Sequence, residues 1–142
     1  MEESEVLMTA RDVFAATMAL IDELDGSGGA LTSDTREYEL RTPGIVNMMI
    51  AEKRILCGER GAFPPVTDLS SELFEIDQNY ALAVMKYGLA ANLLVDENAA
   101  AAGFYQQRYE ELRDRYVQRT EAVTGDITEL YGGIEYGRFA RW

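Results

Sequence analysis

Between Tyr80 and Val95 the chain runs sixteen residues with only Lys86 and Asn92 as clearly polar side chains. One stripe reads Tyr80, Val84, Tyr87, Ala91 and Leu94, and a second reads Leu82, Met85, Leu89 and Leu93. Spacings of three and four residues put each stripe on one face of a helix, and together they cover most of its cylinder. A subunit either wraps such a helix completely or leaves one of its faces for a neighbour. Asp77 is placed to cap it.

Three further helices follow from the same periodicity. Val13, Thr17, Leu20 and Leu24 share a face, which predicts a helix from Thr9 to Leu24. Thr9 is its N-cap, and Asp12 is a weaker form of the capping-box acid. Asp25 to Asp34, rich in Gly, Ser and Thr, reads as a flexible connector. Tyr38-Glu-Leu-Arg41 reads as briefly extended, and Thr42-Pro-Gly44 as the start of the second helix, with proline at its first position. Ile45, Met48, Met49, Glu52 and Ile55 carry that helix to a stop at Gly58. Gly61 to Glu75, with Pro64-Pro65 inside it, reads as an ordered loop.

Asp96-Glu-Asn98 breaks the apolar run, and Asn98 can cap a final helix reaching about Arg119 or Thr120. So short a link predicts an antiparallel helical hairpin, with Gly88, Ala90 and Ala91 facing Ala99 to Gly103. Glycine within a helix costs about 1 kcal/mol relative to alanine, so these two glycines imply close backbone approach. Tyr105, Tyr109, Leu112 and Tyr116 form an aromatic stripe on the last helix, an arrangement more often core than binding site. The expected fold is therefore all-α, about four helices around a hairpin core, with long connecting loops and a C-terminal arm. Residues 1–124 form the helical domain and 125–142 the arm.

The arm differs in character. Three glycines make a continuous helix unfavourable, and from Tyr131 onward one acid stands against two arginines. Tyr131, Tyr136, Phe139 and Trp142 are too apolar for an indifferent end, so the segment either folds back on the helices or meets a partner.

Composition narrows the chemistry. The 142 residues make one domain, and 47% hydrophobic content supports a packed core. With no histidine, Ser-His-Asp and Cys-His catalysis and the Glu-x-x-His ligands of di-iron bundles are excluded. The single cysteine, Cys57, reads as an apolar filler. Asp25-Gly-Ser-Gly-Gly29 has neither the later acids of a calcium loop nor the Gly-Lys-Ser/Thr of a phosphate loop. No catalytic residue, cofactor or metal is expected. A net charge of −12 disfavours gripping or reading nucleic acid. The apolar run spans roughly 24 Å, short of the ~30 Å bilayer core, and lacks basic flanks. The acidic start Met1-Glu-Glu-Ser-Glu5 is unlike a signal peptide, so a soluble cytoplasmic product is expected.

The segment Asn79-Tyr-Ala-Leu-Ala-Val-Met-Lys-Tyr-Gly-Leu-Ala-Ala-Asn-Leu-Leu-Val-Asp-Glu-Asn98 resembles tailed-bacteriophage, or prophage, head–tail connector (adaptor) proteins. Arg41-Thr-Pro-Gly-Ile-Val46, Phe104-Tyr-Gln-Gln-Arg-Tyr-Glu-Glu111 and Tyr131-Gly-Gly-Ile-Glu-Tyr136 add to the likeness, which covers roughly residues 36 to 142. None is a catalytic signature. The resemblance implies a virion protein at the head–tail junction, made in the bacterial cytoplasm, that assembles a ring below the portal and extends the DNA channel. Its partners are then further copies of itself (dodecameric by resemblance), the portal protein, and a tail-side connector or tail protein. Rings need heterologous contacts, in which one face meets a different face of the next subunit. The candidate interface comprises Leu82, Met85, Leu89 and Leu93 on the apolar helix, and Tyr131, Tyr136, Arg138, Phe139, Arg141 and Trp142 in the arm. Two other classes stay open: a small helical regulator or assembly chaperone that binds one partner without forming a ring, and an enzyme using carboxylates and metal alone.

Overall fold

The computed structural model describes residues 7–21 and 33–124, which form four helices in an all-α arrangement. The first, α1, spans Ala10–Leu20. Its start is the expected one: the Thr9 backbone N–H donates to Asp12 Oδ2 at 2.9 Å, and the Thr9 hydroxyl to the same oxygen at 3.2 Å. Residues 22–32, including the expected last turn of this helix and most of the connector, lie outside the described residues.

The second helix, α2, runs Ser33–Leu56 with Pro43 inside it. This corrects the expectation that Tyr38 to Arg41 are extended and that the helix begins at Thr42. An interior proline removes one helical hydrogen bond and costs about 3 kcal/mol, and contacts to the rest of the fold offset it. Tyr38 is 1% exposed, and its hydroxyl donates to Glu97 Oε1 at 2.6 Å. Arg41 Nη2 and Nη1 donate to the carbonyls of Asn92 and Leu93 at 2.9 and 3.4 Å. The Thr42 hydroxyl donates to the Tyr38 carbonyl at 2.7 Å. Gly58, at φ +77°, ends the helix in a Schellman turn, with Glu59 N–H on the Arg54 carbonyl and Gly58 N–H on that of Ile55.

The central helix, α3, covers residues 78–94. It opens at Gln78–Tyr80, passes through a π-helical stretch at Ala81–Met85 and returns to α-helix over Lys86–Leu94. Asp77 Oδ1 accepts from Tyr80 N–H at 2.7 Å, as its capping position predicts. The last helix, α4, spans Ala99–Thr124, a few residues longer than the periodicity suggested. Asn98 caps it, accepting from Ala101 N–H at 3.1 Å. Ring contacts pair Tyr80 with Tyr116 and Tyr87 with Tyr105, in opposite order along α3 and α4.

The core is built around α3. Tyr80, Ala81, Val84, Met85, Leu89, Leu93 and Leu94 are buried against Val13, Phe14 and Met18 of α1, Tyr38, Val46, Met49 and Ile50 of α2, and Ala102 and Tyr109 of α4. Residues 57–77 close the remaining side with Val66, Leu69, Leu73 and Ile76. Asn47 fixes that segment by accepting from Val66 N–H at 2.7 Å and donating to its carbonyl at 2.9 Å. Leu73 N–H donates to Met8 O, and Ala10 N–H to Ser71 O, so the loop also holds the chain entering α1.

Candidate functional site

The sequence-derived interface divides into two parts. Met85, Leu89 and Leu93 are fully buried inside the subunit and Leu82 is half-buried. The expectation that this stripe is offered to a neighbour is therefore corrected for Met85, Leu89 and Leu93, which pack into the core with α1, α2, α4 and the loop, while Gln78, Asn79 and Ala83 of α3 stay exposed. Tyr131, Tyr136, Arg138, Phe139, Arg141 and Trp142 lie outside the described residues.

A polar and aromatic cluster joins α2, α3 and α4. The Tyr109 hydroxyl donates to Glu52 Oε1 at 2.7 Å, and Arg113 Nη1 lies 3.5 Å from the same oxygen. The Arg113 guanidinium sits 5.1 Å from the Tyr109 ring centre. One helical turn pair away, the Tyr80 and Tyr116 rings pack at 4.8 Å, and Lys53 Nζ lies 5.5 Å from each. Tyr116 donates to Asp77 Oδ2 at 3.1 Å. Burial raises the pKa of both Tyr80 and Tyr109 far above the ordinary phenol value, so both stay protonated. Tyr80, 1% exposed, keeps a hydroxyl with no hydrogen-bond partner. Phenols held protonated are poor bases. The cluster ties three helices together.

A second cluster centres on Arg54, 9% exposed at the end of α2. Its guanidinium meets Glu59 and Glu75 at 3.3 Å each, and donates to the carbonyls of Arg60 at 3.0 Å and Gly61 at 3.4 Å. The rings of Phe63 and Phe74 lie 5.6 and 5.2 Å from it. Arg54 thus pins both ends of the loop between α2 and α3. Periodicity could not reveal this role, because all its partners lie in a segment with no repeat. Cys57 beside it is free and half-buried.

Shallow grooves lie on the surface of the described residues. One, about 300 Å³, is lined by Arg11, Glu39, Leu40, Pro43 and Thr67 to Leu69. Its Asp68 carboxyl is held below the usual range by the Ser70 hydroxyl and backbone N–H. Another, about 330 Å³, lies between α3 and α4 over Ala91, Asn92, Val95, Ala99, Ala102, Gly103 and Gln106. Arg11, Glu39 and Asp68 are the charged groups of the first groove, and the second is lined by no charged side chain. Among the described residues no cluster of three or more His, Cys, Asp or Glu is arranged to hold a metal ion. No helix among them is long and apolar enough to cross a membrane.

Among the described residues the exposed large apolar side chains are Leu7, Leu40, Met48, Ile55, Leu56, Val95 and Phe104. Four of the seven belong to α2, which is outside the sequence-derived interface. Comparison with protein-family models, curated proteins and solved structures finds no match to this chain.

Proposed function

We propose that this protein is a structural adaptor of a tailed phage or prophage, a head–tail connector subunit that assembles below the portal and has no catalytic role. The observation that carries this reading is how the segments resembling that family sit in the fold. Arg41 of the first segment holds α2 against the last turn of α3, which belongs to the second. The Arg41 guanidinium takes the carbonyls of Asn92 and Leu93, two of the acceptors a helix leaves open at its C-terminal end. Phe104 to Glu111 of the third segment supply Tyr105 and Tyr109 against Tyr87 and Gly88. Among the described residues, three of the resembling segments therefore contribute side chains that hold the bundle together. An acidic wall would also let DNA pass without retaining its phosphates.

The test is assembly with a portal protein, which this reading expects among the flanking genes. Mixed with portal particles, the full chain should form rings that negative-stain electron microscopy resolves as a collar below the portal. A variant ending at Thr124 should keep its melting temperature and lose the collar, because the arm's four aromatics and two arginines then contact the partner. A one-to-one complex without a ring would support the chaperone reading. Turnover dependent on a divalent metal and lost with one carboxylate would support an enzyme.

A further inference from the structure

We infer that the outer stripe of α2 is a self-association surface, through which two copies of this chain pair antiparallel about a two-fold axis. This goes beyond the adaptor reading, which calls for head-to-tail contacts, and concerns the free protein.

The stripe consists of Leu40, Gly44, Met48, Ala51 and Ile55. At 100° per residue these five fall within about 80° of the helix circumference and extend roughly 22 Å along it. Leu40, Met48 and Ile55 are 76%, 48% and 72% exposed. A Cβ added at Gly44 would meet nothing within 4 Å. The spacings of four, four, three and four residues are those of a helix-packing seam. No ionisable side chain interrupts it, on a chain whose net charge is −12. Two such chains repel each other elsewhere, so an uncharged stripe is where they can meet.

The order of sizes identifies the occupant as a second copy. Large and small alternate as Leu40, Gly44, Met48, Ala51, Ile55, and the sequence of sizes reads the same in reverse. In an antiparallel pair centred between Asn47 and Met48, Leu40 faces the second copy's Ile55. Gly44 faces Ala51, small against small, which lets the helices approach closely. Met48 meets its own symmetry mate near the axis. An isologous contact requires this self-complementarity.

Cysteine pairing in the full chain tests the register, in a Cys57→Ser background. Under mild oxidation Met48→Cys should link to itself, whereas Leu40→Cys should not, because its symmetry mate lies some 22 Å away. Leu40→Cys mixed with Ile55→Cys should link. Sedimentation should give a single-subunit mass at low salt and twice that mass at about 0.5 M salt, where screening reaches only a few ångströms. Met48→Glu should abolish the dimer with an unchanged melting temperature. Leu40→Cys linking to itself as readily as Met48→Cys would overturn the proposal. So would one-subunit mass at every salt, or a dimer that survives Met48→Glu. Rings on portal particles remain a separate readout, so failure here leaves the adaptor proposal standing and failure there leaves this one standing.

Discussion

Gly88 and Gly103 lie inside helices and read alike in the sequence, yet alanine should act oppositely at the two positions. At Gly103 in α4 an added Cβ meets nothing within 4 Å. Gly103→Ala should therefore collect the helix-propensity difference alone, about 1 kcal/mol of added stability. At Gly88 in α3 the same Cβ would stand 2.5 Å from Met49 Sδ, and 2.9 and 3.0 Å from Tyr109 Cδ1 and Cε1. Neither neighbour has room to give. Met49 is 1% exposed, and Tyr109, 2% exposed, is held by its hydroxyl on Glu52 and by Arg113 over its ring. Overpacking a tight core costs about 1–3 kcal/mol. If the ring swings away, a hydrogen bond to a charged group worth about 1.5–3 kcal/mol goes with it. Against the gain of about 1 kcal/mol in propensity, Gly88→Ala should lose up to about 2 kcal/mol net from overpacking alone, and more where that bond breaks. The two variants should thus differ by about 1–3 kcal/mol or more in urea unfolding followed by far-ultraviolet circular dichroism. Equal or greater stability of Gly88→Ala would refute the reasoning, since it would mean that the Met49 and Tyr109 contacts rearrange freely.

Arg54→Ala should lose about 2–4 kcal/mol in the same assay. It removes a buried cation with two carboxylates and two carbonyls around it, though Glu59 and Glu75 are half-exposed and can be rehydrated. Arg54→Lys should recover less than half of that, because an ammonium lacks the planar fork; full recovery would show that charge alone suffices. A second expectation concerns alkaline pH. Burial holds the folded-state pKa of Tyr80 and Tyr109 above the unfolded value of 10. The unfolded chain then releases protons that the folded chain keeps, so stability is level below pH 10 and falls as pH rises above it. Ultraviolet titration of phenolate should show at least two tyrosines ionising only with loss of helix, and free ionisation of all eight in a folded chain would contradict their burial.

Capping was the most readable part of the fold, because it is local. Thr9 with Asp12, Asp77 and Asn98 each carry a polar side chain at the right offset from the first apolar turn, and each caps as its position suggests. The start of α2 was not readable, for the opposite reason. Thr42-Pro-Gly44 carries every local mark of a helix beginning, and in isolation proline favours that reading. What extends α2 back to Ser33 is distant in sequence: Glu97 for Tyr38, and the α3 carboxyl end for Arg41. Tertiary bonds of this kind override a local preference of about 3 kcal/mol, and no window short enough to show periodicity contains both partners.

The interface failed to emerge from the sequence for a related reason. Periodicity finds apolar faces but does not say which ones the subunit itself covers. α3 is the more apolar helix, so its second face looked spare; yet an all-round apolar helix is the one a four-helix fold places at its centre. α2 carries two apolar stripes of unequal prominence. Val46, Met49 and Ile50 point inward and are 1% exposed or less, whereas Leu40, Met48 and Ile55 point outward. In the sequence the two stripes interleave as Val46-Asn-Met-Met-Ile50, a run in which Met48 and Met49 are indistinguishable by composition. Only the direction in which α3 lies separates them. Once that is fixed, Met49 becomes the side chain that excludes a methyl group at Gly88, and Met48 the one free to meet another chain.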